Sequence, residues 1–161
     1  MNPNEIIYYK RSRFSTRLPV GRRYTAAHYW LLEEEPGLWR IGFTKFATRM
    51  LGDLVEFEFS VKPGATIAVG QEIGWIEGFK AVTSIYSVAD GEFAGAAEEL
   101  ARDITKVESD PYGQGWLYRV RGTPDPASVD VNGYVAILDA TIERMLEKPD
   151  QSGKESQDDA C

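Results

Sequence analysis

One cysteine and one histidine are all that the 161 residues offer to thiol or imidazole chemistry. Cys161 has no partner for an internal disulfide, and His28 would need carboxylates alone to complete a metal site, which argues against structural zinc. Long apolar runs are missing too. Charges or turn residues interrupt every stretch before the roughly 20 residues that a membrane helix needs, so no membrane insertion is expected. The opening Met1-Asn2-Pro3-Asn4-Glu5 lacks the charged and apolar regions of a secretory signal, and a cytoplasmic protein is expected. There is no G-x-S-x-G elbow, no P-loop and no dinucleotide fingerprint, which removes support for three common enzyme classes. Carboxylates are plentiful, but their spacing singles out no acid/base pair.

What is present describes one compact domain. Hydrophobic residues make up 43% of the chain and charged residues 27%, enough apolar material for a core without staples. The net charge of −7 is uneven: residues 1 to 23 carry Lys10, Arg11, Arg13, Arg17, Arg22 and Arg23 against Glu5, or +5, leaving −12 on the rest. A basic extension over residues 1–17 thus precedes an acidic body. Such an arm either docks on an acidic surface or lies on its own body, and the second is the expectation. Tyr8, Tyr9 and Phe14 among its charges do not form an aromatic platform of the RNA-binding kind, so no nucleic-acid partner is expected.

The middle of the chain reads as short strands. Tyr29 to Leu32 and Leu38 to Ile41 flank Pro36-Gly37 as a hairpin would. Phe43, Phe46, Ala47, Met50 and Leu51 follow at the spacing of one helical face, with Thr44 to cap the start and Gly52 the end. Leu54 to Val61 alternates as a strand, placing Leu54, Glu56 and Glu58 on one face and Val55, Phe57 and Phe59 on the other. Turns at Pro63-Gly64, Val69-Gly70, Asp90-Gly91 and Tyr112-Gly113 separate further strands, and Glu98 to Lys106 is a short helix. Val131, Tyr134, Val135, Leu138, Ile142, Met145 and Leu146 form the stripe of an amphipathic helix over 130–147, with Asp130 as its cap. The polar residues 148–161 form a flexible tail.

Lys80 lies between the strand-like runs Gln71 to Glu77 and Val82 to Val88, so a tight turn holds its amine at a hairpin tip. Gly78 eases the bend by accepting backbone angles that other residues resist. His28, without a visible partner, reads as a packed strand residue rather than a general base.

Four motifs in order resemble the H protein family of the glycine cleavage system, over residues 18 to 120. Tyr24-Thr25-Ala26-Ala27-His28-Tyr29-Trp30 is similar to its Y-T-x-x-H-x-W strand, and Ile41-Gly42-Phe43-Thr44 with Leu51-Gly52-Asp53-Leu54-Val55 resembles its central segment. Glu77-Gly78-Phe79-Lys80-Ala81 stands where the family has E-S-V-K-A, and Asp110-Pro111-Tyr112-Gly113-Gln114-Gly115-Trp116-Leu117 resembles D-P-Y-G-x-G-W-L. The resemblance implies a mainly β, lipoyl-domain-like barrel-sandwich hybrid of two small sheets, with a short internal helix and a C-terminal amphipathic helix, over residues 18–147. It implies lipoate covalently attached to Lys80, with Glu77 and Gly91 read by the lipoylating enzymes. It also implies a carrier that breaks no bond itself, taking an aminomethyl group from glycine decarboxylase to aminomethyltransferase before dihydrolipoyl dehydrogenase reoxidises the arm.

Two departures bear on the cargo. The usual H-E-W reads His28-Tyr29-Trp30, and Ser84 replaces the aspartate that often follows the lysine, so a carrier for another multi-enzyme system, such as sulfur oxidation, stays open. So does an unmodified H-like interaction protein. A biotin carrier is disfavoured because Phe79 and Ala81, not methionines, flank Lys80.

Overall fold

The computed structural model describes residues 5–160, with side chains from Glu5 through Glu147. Eleven strands and four helices follow in chain order. They are β1 (Ile6–Arg11), β2 (Phe14–Pro19), β3 (Arg23–Tyr24), β4 (Tyr29–Glu35), β5 (Leu38–Phe43), α1 (Lys45–Leu51), β6 (Leu54–Phe59) and β7 (Thr66–Ile67). Then come β8 (Glu72–Gly78), β9 (Val82–Tyr86), β10 (Ala89–Ala96), α2 (Glu98–Arg102), α3 (Lys106–Ser109), β11 (Tyr118–Pro124) and α4 (Val131–Ala160).

Two sheets make the body, as expected: a six-stranded sheet in the order β3-β4-β5-β11-β10-β7 and a three-stranded sheet β6-β8-β9. Their facing side chains, among them Leu31, Ile41, Ile73, Ile76, Ile85 and Phe93, are fully or almost fully buried and form one core. Each such side chain contributes about 1.5–3 kcal/mol by leaving water. The β4–β5 hairpin turns at Pro36-Gly37, where Gly37 takes a φ of 81° that a side chain would strain.

Helix α1 has the caps its sequence predicts: the Thr44 hydroxyl accepts from the Ala47 amide, and the Gly52 amide donates to the Thr48 carbonyl. Strand β6 departs from simple alternation. A register shift between Leu54 and Glu56 turns Leu54 inward together with Phe57 and Phe59 and leaves Val55 exposed. The single helix expected over Glu98 to Lys106 is two helices, α2 and α3. They part at Asp103, whose carboxylate accepts from the Thr105 amide at 3.1 Å and so favours a turn over another helical residue.

The basic extension folds as a third, two-stranded sheet, β1 paired with β2 from Ile6↔Pro19 to Arg11↔Phe14. Its Tyr9, Phe14 and Leu18 join Trp30, Phe46, Tyr134, Leu138 and Ile142 in a second core, which seats α4. The arm does rest on the acidic body here. Arg11 pairs with Asp139 at 3.5 Å and Glu143 at 3.6 Å, and the Tyr9 hydroxyl donates to Asp139 at 2.8 Å. Asp130 caps α4 by accepting from the Gly133 amide at 2.9 Å. The α4 backbone is helical to Ala160, past the end at 147 that the apolar stripe predicts. The flexible tail expected over 148–161 falls outside the residues whose side chains are described.

Candidate functional site

The β8–β9 hairpin projects Phe79-Lys80-Ala81 at its tip, as the sequence predicts. Three backbone hydrogen bonds fix that tip. Gly78 donates to Ala81 at 2.8 Å within the turn, while Phe79 donates to Asp53 and Lys80 to Leu51, both at 2.9 Å, across to the α1–β6 connection. Glycine is needed at two places here, at Gly78 for room and at Gly52 for its φ of 77° as well. A Cβ on Gly78 would lie 2.2 Å from the Leu51 carbonyl oxygen, and one on Gly52 would lie 2.9 Å from the Lys80 Cγ. The role read for Gly78 from sequence is thus corrected: its φ is not positive, and close backbone approach, not an unusual angle, demands glycine.

Lys80 and Phe79 are exposed, Phe79 at 80%. The Lys80 ammonium has one weak contact, donating to the Arg49 carbonyl at 3.4 Å, and no carboxylate pairs with it among the described residues. Clefts open on both sides of the hairpin. One, of about 360 Å³, is lined by charged residues, Lys45, Arg49, Asp53, Lys80 and Glu108, with Phe79 among them. The other, of about 390 Å³, is walled by Tyr29, Phe43, Met50, Leu51 and Val82, and its described lining holds no carboxylate.

His28 stands at the rim of that apolar cleft, in a bend before β4 rather than in a strand, with a φ of 73°. Burial pushes its imidazole down to about 4, so the ring is neutral at physiological pH. Its Nδ1 meets the Tyr134 hydroxyl at 2.9 Å, which in turn meets the Thr44 hydroxyl at 2.7 Å, and the ring packs on Phe46. It is a packed, hydrogen-bonded residue, as expected.

Tyr29, which the resemblance sets against a carboxylate, has its hydroxyl already engaged. It accepts from the Tyr86 amide at 2.9 Å, and burial pushes its pKa up to about 12. Tyr118 holds the same residue, donating to the Tyr86 carbonyl at 2.8 Å. The Ser84 hydroxyl donates to Glu72 at 2.7 Å.

Of the other residues singled out from sequence, Glu77 lies on β8 close to the tip, half-buried and opposite Val82 on one side and Glu56 on the other. Gly91 lies on the other sheet, in β10. Its φ is 150°, and a Cβ there would meet the Arg121 carbonyl oxygen at 2.2 Å, so the backbone alone explains glycine. The sequence reading gave Met50 only as part of a helical face and passed over Arg49; Arg49 lines the first cleft and Met50 the second. Their place at the C-terminal end of α1, directly before Leu51-Gly52-Asp53, was the available signal.

The glycine cleavage H-protein family model matches residues 22–133. The glycine cleavage system H protein of Shewanella sp. strain ANA-3 is 33% identical over 127 residues, which is 77% of this chain and 98% of that one. That of Pseudoalteromonas atlantica is 36% identical over 106 residues, 66% of this chain and 81% of its own length. The crystal structure of a glycine cleavage system H protein from Mycobacterium marinum superposes with a TM-score of 0.67 at 31% identity, covering 74% of this chain and 97% of that one. The chain belongs to the glycine cleavage H-protein family of non-catalytic lipoyl carriers.

Proposed function

We propose that lipoate is joined by an amide to the Lys80 Nζ and that the chain carries the one-carbon unit of glycine from glycine decarboxylase to aminomethyltransferase. Dihydrolipoyl dehydrogenase then reoxidises the arm. The observation that carries this reading is the exposed amine on a turn whose backbone is held to α1–β6 by two hydrogen bonds.

The residues present fit the group. Forming the amide removes the ammonium charge, so the stem can lie against Met50, Leu51 and Val82 without burying an ion. When bound, lipoate supplies a strained cyclic disulfide that opens readily to accept the one-carbon unit. The chain's own part is to fix the pivot, keep an apolar wall beside it and hold a neutral His28 at the rim. Glu77, next to the tip, and Gly91 are the residues we assign to recognition by the lipoylating enzymes. The cytoplasm is the proposed compartment; no described helix is long and apolar enough to cross a membrane.

Lys80→Arg tests the attachment. Protein made in cells supplied with lipoate gains one lipoyl group over its unmodified mass, and the variant gains none over its own; the same gain in both, or none in either, refutes the assignment. Glycine-dependent carbon dioxide exchange with glycine decarboxylase tests the pathway. One observation favours a second reading: the apolar cleft offers no carboxylate for a cationic cargo, since Tyr29 is spent on the Tyr86 amide and Ser84 on Glu72. Normal lipoylation without exchange would move the carrier to another lipoate-dependent system, such as sulfur oxidation.

A further inference from the structure

Beyond the two clefts at Lys80, the second core creates a third groove, of about 250 Å³, between the β1–β2 turn, α1 and α4. Its floor is apolar and open to water. Met50, Met145 and Leu146 are 46%, 42% and 53% exposed, although all three are unbranched or γ-branched side chains that adapt well to a partner surface. Its rim is cationic: Arg11, Arg13 and Arg49 surround that floor. Arg11 is engaged with Asp139 and Glu143, whereas no carboxylate pairs with Arg13 or Arg49 among the described residues. Arg49 leans on the Phe14 ring at 5.8 Å, which leaves its charge at the rim.

On a body whose charge past residue 23 sums to −12, such a rim is the exception. An acidic partner is repelled elsewhere and attracted here. The groove also touches the attachment site. Arg49 is shared with the charge-lined cleft around Lys80, and Met50 with the apolar one. A chain seated in the groove therefore abuts the Arg49–Met50 ridge of α1, next to the hairpin that carries Lys80.

We propose that this groove is the docking site for an acidic segment with apolar anchors, belonging to an enzyme that works on the arm: carboxylates meet Arg13 and Arg49, and the anchors cover Met145 and Leu146. The proposal rests on the carrier reading, because proximity to Lys80 is useful only if an arm is there. Residues 1–21, which supply Arg13, lie outside the matched family segment. The groove thus joins the matched segment, through Phe46, Arg49 and Met50, to residues outside it.

The test uses the full-length protein, both unmodified and lipoylated, with the glycine decarboxylase and the aminomethyltransferase of the same organism as probes in titration calorimetry. Arg13→Glu weakens binding to one of the two by about tenfold or more, Arg13→Lys by less than about threefold, and Leu146→Ser by about tenfold. Affinity for that enzyme falls steeply with added salt. All three variants accept lipoate as the parent does, by intact mass. Binding of both enzymes within about twofold of the parent for Arg13→Glu and Leu146→Ser would overturn the proposal. Two other occupants would overturn it as well: self-association lost in Arg13→Glu by sedimentation equilibrium, or parent binding to phosphatidylglycerol vesicles lost in the same variant. If the parent gains no lipoyl group, the carrier reading fails, and the unmodified protein still decides whether the groove binds either enzyme.

Discussion

The two cores of this molecule are built in opposite ways. The first packs two sheets face to face, one of them closed by the distant pairing of β5 with β11, and carries the Lys80 hairpin; the second ties β1–β2 to α4 across 130 residues, through Tyr9 and Asp139. The family match covers the first nearly whole and leaves most of the second outside residues 22–133. The difference teaches that the attachment site and its two clefts depend on the sandwich, while the third groove beside them needs the chain's ends. Phe46 of α1 packs in the second core and Leu51 of the same helix in the first, so α1 couples them.

The sharpest way to separate the cores is to open a cavity in each. Ile76→Ala and Leu138→Ala remove fully buried side chains and each costs about 2–5 kcal/mol in denaturant unfolding. Ile76→Ala also lowers hydrogen-exchange protection at the Lys80 turn. Leu138→Ala lowers it in β1, β2 and α4 while the turn amides of Phe79 and Lys80 stay protected. Equal loss of protection everywhere in both variants would show a single cooperative unit.

A smaller effect comes from His28, which meets Tyr134 and Phe46 of the second core and lines the apolar cleft beside Tyr29 and Leu51 of the first. Its folded pKa, at about 4, lies below the ordinary value of 6.5. The unfolded state therefore takes up a proton first as pH falls. This contribution is fully present above about pH 6.5 and is lost progressively between there and pH 4, to a limit of about 3 kcal/mol. His28→Gln flattens the stability profile in that window, as unfolding curves at pH 7, 6 and 5 would register. Smaller again is Tyr9→Phe, which deletes the hydroxyl bond to Asp139 and costs about 1 kcal/mol, felt by the second core alone.

What the sequence disclosed was what is local. Thr44 and Gly52 bracket α1 because capping is settled within four residues, and the Pro36-Gly37 turn follows from two. The Lys80 turn was legible for the same reason, with apolar strands on either side of it. The β1–β2 hairpin was not: its apolar residues Tyr9, Phe14 and Leu18 are separated by charges, and the surface they bury against is on α4. Nor was the reason for Gly78, since the obstructing carbonyl of Leu51 comes from a separate element. The inward turn of Leu54 escaped the alternation pattern because one bulge reverses the parity of every residue before it.

The pair of hydrogen bonds from Phe79 and Lys80 to Asp53 and Leu51 has a mechanical consequence. They give the long side chain of Lys80 a fulcrum. With the Cα held against α1, all of the reach must come from rotation about side-chain bonds, and the region swept is a fixed dome above the tip. A partner seated at the Arg49–Met50 ridge would sit at the edge of that dome, where the lever finds it by turning and the body need not move.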